Sequence, residues 1–163
     1  MPAWRSVWPA TARPPAPLAD APRGMSHMMA FLDEHSFRPK LHRWRFDLRT
    51  GRTHEEHLDD RILEFGMFNL KYAGKPYRYA YSTTTRPGWF LFNGFVKHDL
   101  ETGESWSITL PEGRYASEAP FAPRVGAKDE DDGYLVSFII DENAGTSECV
   151  IIDAKRFEIA CRI

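Results

Sequence analysis

Apolar and polar positions alternate with a period of two along most of this chain, the mark of half-buried strands. Over 41–48, His42, Trp44, Phe46 and Leu48 fall on one side and Leu41, Arg43, Arg45 and Asp47 on the other. This predicts a strand whose inner face carries Trp44 and Phe46, with His42 packed beside them. Residues 49–52 (Arg-Thr-Gly-Arg) supply a turn, and 53–58 read as the return strand. An apolar run at 62–69 is interrupted by Glu64 and Gly66, and 77–82 alternates again with Tyr77, Tyr79 and Tyr81 on one face. Further strands are predicted over 89–100, 105–110, 134–140, 148–153 and 157–163, with tight turns at 101–104 and 143–145. No long segment carries the 3.6-residue period of a helix, so the expected fold class is all-β.

Three segments share one form: a strand, an Asp, a Thr/Gly turn and a return strand. They read FDLRTGR at 46–52, HDLETGE at 98–104 and IDENAGTSE at 140–148. Their glycines, Gly51, Gly103 and Gly145, stand 52 and 42 residues apart, a spacing of propeller blades. A propeller therefore fits better than a sandwich. A ring needs at least about four blades, and an open set leaves unpaired strand edges and uncovered apolar faces. Residues 31–163 are thus expected to be blades of a larger propeller, able to associate through those edges.

Composition narrows the function classes. The 163 residues carry a formal charge of −2, which gives no electrostatic case for nucleic acid or for an anionic membrane. Two cysteines, Cys149 and Cys161, do not make a disulfide framework, and a reducing, cytoplasmic setting is expected. Residues 1–30 are dense in Pro, Ala and Arg and read as a disordered tail without chemistry.

Most apparent constellations dissolve on inspection. His54 and His57 are three apart, so on a strand they face opposite ways, whereas a zincin pair needs helical i, i+4 spacing. The run Asp129-Glu-Asp-Asp-Gly133 lacks the ligand order of a calcium loop and reads as a solvated acidic loop. Cys149 has no neighbouring base to activate it. There is neither a Gly-rich phosphate loop nor a nucleophile elbow. Glu64 and Glu118 each sit among apolar or small residues, and on the residues alone each is an ordinary strand-end carboxylate.

Four landmarks then stand in order: L-H-R-W-R-F-D-L-R-T-G at 41–51, Leu-Asp-Asp-Arg followed by Glu-Phe within 58–65, G-K-P-Y-R-Y-A-Y at 74–81, and S-E-A-P-F-A-P-R-V-G-A-K-D-E-D-D-G-Y-L-V-S at 117–137. Over about 37–163 the chain resembles the carotenoid cleavage oxygenases, the family that includes lignostilbene dioxygenases. The resemblance implies the C-terminal blades of a seven-bladed β-propeller. It also implies a non-haem dioxygenase that holds Fe(II) through four histidines and splits a conjugated C=C bond of a carotenoid, apocarotenoid or stilbene with O2, giving carbonyl products. None of the six histidines here lies in a matching ligand motif, so no catalytic or metal-ligating residue is expected in this chain, and alone it should be inactive. Glu64 and Glu118 match the carboxylates that accept the ring N–H of iron-bound histidines. Phe65, Phe68, Tyr72 and Phe121 are either blade core or walls of an apolar substrate tunnel. Membrane contact, if any, would be peripheral and through the missing parts. A reading from another class is a metal-free, propeller-like binding or scaffold module.

Overall fold

The strands form where alternation predicts them, and they assemble as successive antiparallel meanders. The structure, a computed structural model, describes residues 38–85 and 91–163; the expected tail at 1–30 lies outside the described residues. Strands β1 (His42–Phe46) and β2 (Thr53–His57) make a hairpin. Strands β3 (Leu63–Met67), β4 (Tyr79–Thr85), β5 (Phe92–Asp99) and β6 (Ser105–Thr109) make a four-stranded meander. In the second meander the first strand is split into β7 (Arg114–Ala116) and β8 (Phe121–Pro123), both paired with β9 (Gly133–Asp141), which is followed by β10 (Thr146–Asp153) and β11 (Glu158–Arg162). Strand β7 also pairs with β5 through Phe92 and Ala116, so hydrogen bonding runs on from one meander to the next. The one helical element among the described residues is a 3-10 turn at Leu70–Tyr72, capped by Asn69. The fold is all-β, and the two meanders pack as adjacent propeller blades.

Alternation gives each blade two faces. Tyr81 and Phe95 of the first blade meet Leu135, Ile139, Val150 and Ile152 of the second in a single buried cluster. The last hairpin of each unit closes with the same device. Asp47 Oδ1 accepts the N–H of Arg49 and Thr50, Asp99 Oδ1 those of Glu101 and Thr102, and Asp153 Oδ1 those of Lys155 and Arg156. The fifth residue of each turn is left-handed: Gly51 (φ 71°), Gly103 (φ 78°) and Phe157 (φ 53°). These aspartates stand 52 and 54 residues apart. The blade repeat is therefore carried by 153–157, not by 140–148, which turns the earlier hairpin between β9 and β10. Phe157 hid it, because a side chain there costs roughly 1–2 kcal/mol; burial of the ring against the core offsets that cost.

The acidic loop is not the solvated loop that its composition suggests. Asp131 Oδ2 accepts a hydrogen bond of 2.7 Å from Lys97 Nζ, and both residues are buried. Lys97 comes from β5, and its ammonium also donates to the carbonyl oxygens of Ala154 (2.8 Å) and Lys155 (3.3 Å) and lies 4.3 Å from the Tyr79 ring centre. The Glu130 carboxylate accepts the backbone N–H of Arg78 and Tyr79, Asp129 pairs with Lys155, and Asp132 pairs with Arg124. The loop thus stitches the second blade to the first.

The next residue along β5, His98, points the other way. Its Nε2 lies 2.6 Å from Asp59 Oδ2, and Arg61 pairs with the same carboxylate while donating to Ser105 and Ser107 hydroxyls. This cluster ties the segment between β2 and β3 onto the opposite face of the first blade. Burial alone would raise the Asp59 carboxyl; the bonds from Arg61 and His98 outweigh it and hold the group well below the usual carboxylate range. Burial pushes the His98 imidazole below its ordinary 6.5, against the pull of Asp59.

One expected packing face is corrected. Trp44 is 55% and Phe46 64% exposed, and His42, though its ring lies 4.9 Å from that of Trp44, is exposed with them, because no described element covers that side of the hairpin. Arg43, on the opposite side, is the more buried and pairs with Glu56.

Two outcomes are expected. Lys97→Met strands a buried carboxylate and should cost about 3–5 kcal/mol in a denaturant titration; Lys97→Met with Asp131→Leu should recover most of it, and a double variant no better than the single would remove the pair from this role. For His98, the unfolded chain binds a proton more readily than the folded one, so stability falls as pH drops below about 6.5. Thermal midpoints measured from pH 8 to 5 should show that fall, and His98→Asn should flatten it.

Candidate functional site

The two glutamates occupy matching places. Glu64 lies in β3 and Glu118 in the gap between β7 and β8, each in the first strand of its blade, 54 residues apart. That is also the separation of Asp99 and Asp153. Both sit where the strand is interrupted. After Glu64 the pairing with β4 shifts register before resuming at Met67, and Phe65 takes a left-handed conformation at φ 51°. Pairing with β9 holds at Ser117, whose N–H donates to Phe138, is interrupted around Glu118 and resumes at Pro120. Ala119 is buried in the core, and Glu118 beside it is exposed.

Neither carboxylate has a hydrogen-bond or ion-pair partner among the described residues. Glu64 is half-buried and Glu118 is exposed. By contrast, the four acids of the 129–132 loop are all engaged.

The tunnel candidates separate into distinct contacts. Phe65 meets Phe92 edge-on at 5.0 Å, Phe68 stacks on Tyr77 at 4.7 Å, and Phe121 stacks on Tyr81 at 5.7 Å against the core. Tyr72 lines a cleft of about 300 Å³ with Asn69, Pro123 and Arg124. No group of three or more His, Cys, Asp or Glu able to hold a metal occurs among the described residues, so these side chains do not fit a ligand set. His98 in particular is committed to Asp59. Cys149 and Cys161 are free thiols. No helix among the described residues is long and apolar enough to cross a membrane.

Thr83 and Ser137 escaped the sequence reading. Both are fully buried hydroxyl residues on the second strand of their blades, and they too stand 54 residues apart. The signal was available only once the blade register had been corrected.

Comparison with known proteins agrees with this architecture. The family profile described as Retinal pigment epithelial membrane protein matches residues 7–163. The chain is 38% identical over 133 residues to carotenoid 9,10(9',10')-cleavage dioxygenase 1 of Arabidopsis thaliana, covering 74% of this chain and 24% of that protein. It is 46% identical over 85 residues to torulene dioxygenase of Fusarium fujikuroi, covering 52% of this chain and 15% of that one. Among solved structures, cobalt-substituted apocarotenoid oxygenase (ACO) of Synechocystis superposes with a TM-score of 0.70 at 28% identity, over 77% of this chain and 27% of that one. The chain spans about a quarter of the length of the first of these relatives. By its sequence, its β-propeller blades and its relatives, the chain belongs to the carotenoid cleavage oxygenase family.

Proposed function

We propose that these residues are two blades and a hairpin of a non-haem Fe(II) dioxygenase that cleaves a carotenoid-type polyene with O2, and that their chemical contribution is the pair Glu64 and Glu118. The observation that carries this reading is their geometry: two carboxylates at equivalent breaks in the first strands of consecutive blades, neither paired among the described residues. In a propeller those strands lie towards the central channel. A relative that takes cobalt in exchange supports a metal there, as do relatives named for polyene cleavage.

An imidazole that ligates a metal through one nitrogen leaves the other N–H in need of an acceptor. A carboxylate there fixes the tautomer, aims the ring and raises ligand basicity. Glu64 and Glu118 do this for histidines contributed by other parts of the propeller. The metal, when bound, supplies the activation of O2 at the double bond. Phe65, Phe68 and Tyr72 are the residues left to offer apolar wall to the polyene, since Phe121 stacks on Tyr81 against the blade core. The free thiols fit a reducing, cytoplasmic setting. The uncovered faces around Trp44 and Phe46, and around Phe138 and Ile140, are where further blades of the same propeller pack.

In the metal-loaded enzyme, Glu64→Gln and Glu118→Gln should each weaken metal retention about 10–100-fold. Metal analysis after graded chelator dialysis reads this directly, with exposed Glu112→Gln as the control. Parent-like retention in both variants would sink the proposal. Residues 1–163 expressed by themselves should retain neither ferrous iron nor cobalt after gel filtration, and stoichiometric retention would overturn the assignment of the ligands to other blades.

A further inference from the structure

The two strand breaks leave backbone groups without ladder partners, and a buried backbone carbonyl does not stay unpaired. In the first blade, Thr83 stands directly across from Glu64, and its hydroxyl donates to the Glu64 carbonyl oxygen at 3.1 Å. In the second, Ser137 Oγ donates to the Ser117 carbonyl oxygen at 3.1 Å. Ser117 Oγ in turn donates to the Glu118 carbonyl oxygen at 3.1 Å and accepts the Phe138 N–H at 3.1 Å. Thr83 and Ser137 are both wholly buried. They follow their glutamates by the same interval, 19 residues.

We infer that Thr83 and Ser137 are positioning residues that lock the interrupted first strands and so set the direction in which Glu64 and Glu118 leave the backbone. This rests on the reading of those carboxylates given above. The chemistry favours it over filling of space. A buried hydroxyl without a partner is costly, so an apolar residue is the ordinary choice at a fully buried strand position. A hydroxyl in both blades, each directed at the backbone where the ladder fails, replaces the hydrogen bond that the bulge removes. The inner strand can then break without the glutamate's backbone becoming free to rotate.

Amide hydrogen exchange on residues 1–163, which needs no metal, tests the positioning itself. Thr83→Val keeps the shape of the side chain and removes the hydroxyl. Exchange at Phe65 and Gly66 should quicken about fivefold to tenfold, as losing one hydrogen bond implies, while Ser117 and Phe138, whose N–H groups are bonded beside the second break, keep the parent rate. Ser137→Ala should quicken Ser117 and Phe138 and leave Phe65 and Gly66 unchanged. Thr83→Ser should restore the parent pattern. Unchanged exchange in Thr83→Val, or a uniform quickening over both blades with a matching fall in thermal midpoint, would overturn the inference. In the metal-loaded enzyme, Thr83→Val should speed metal loss and Thr83→Ser should not. Local loosening without any change in metal loss would overturn the aiming role. If Glu64→Gln also leaves metal retention unchanged, the failure lies with the carboxylate reading instead.

Discussion

The arrangement depends on one buried cation. Lys97 carries its ammonium into the seam between the blades, where Asp131 and two backbone carbonyl oxygens receive it. Removing such a charge from water costs several kcal/mol, and the mutual attraction repays that only when the remaining protons are also bonded. Here the three protons have three acceptors, and the Tyr79 ring lies beside the nitrogen. The geometry tolerates little slippage, because any sliding of one blade on the other opens the pair while both ends stay buried. A wholly apolar seam would hold the blades together; this one also fixes their register.

Strand period turns that single pin into a two-sided one. Successive residues of a strand face opposite ways, so Lys97 serves the second blade while His98 serves the segment before β3 through Asp59 and Arg61. The first blade is held on both faces by neighbours in its own sequence. That rigidity matters most at its first strand, which is the least regular: β3 is bulged beside Glu64, and the corresponding strand of the next blade is split outright at Glu118. The outer hairpins show the opposite habit, with the same aspartate turn repeated at Asp47, Asp99 and Asp153.

The strands and turns were legible because alternation and Asp-Thr-Gly turns are local signals, and β1, β2, β4 to β6 and β9 to β11 fall close to where the pattern puts them. Three things were not. The acidic loop reads as solvated because Lys97, its partner, lies 34 residues away and looks like an ordinary strand lysine. The third blade turn was missed because Phe157 occupies a conformation that usually selects glycine. The inward face assigned to Trp44 and Phe46 failed because alternation separates two faces without saying which of them a described neighbour covers. Of the site, both glutamates were picked out by their resemblance to the family motif; the hydroxyls behind them had no sequence signal until the blade repeat was set at 54 residues.

That repeat explains why two carboxylates, and not one, arise from so short a stretch. Glu64 and Glu118, Thr83 and Ser137, and Asp99 and Asp153 are three pairs one blade apart. Each pair keeps its place in the blade while its surroundings change: threonine becomes serine, glycine becomes phenylalanine at the turn, and a bulge becomes a full break. The interval of 54 residues is the length of one blade, so equivalent positions recur at it whatever their side chains. A metal held by histidines from several blades needs acceptors spaced by that same blade step. Lys97 and Asp131, buried between these two blades, hold one against the other at that step.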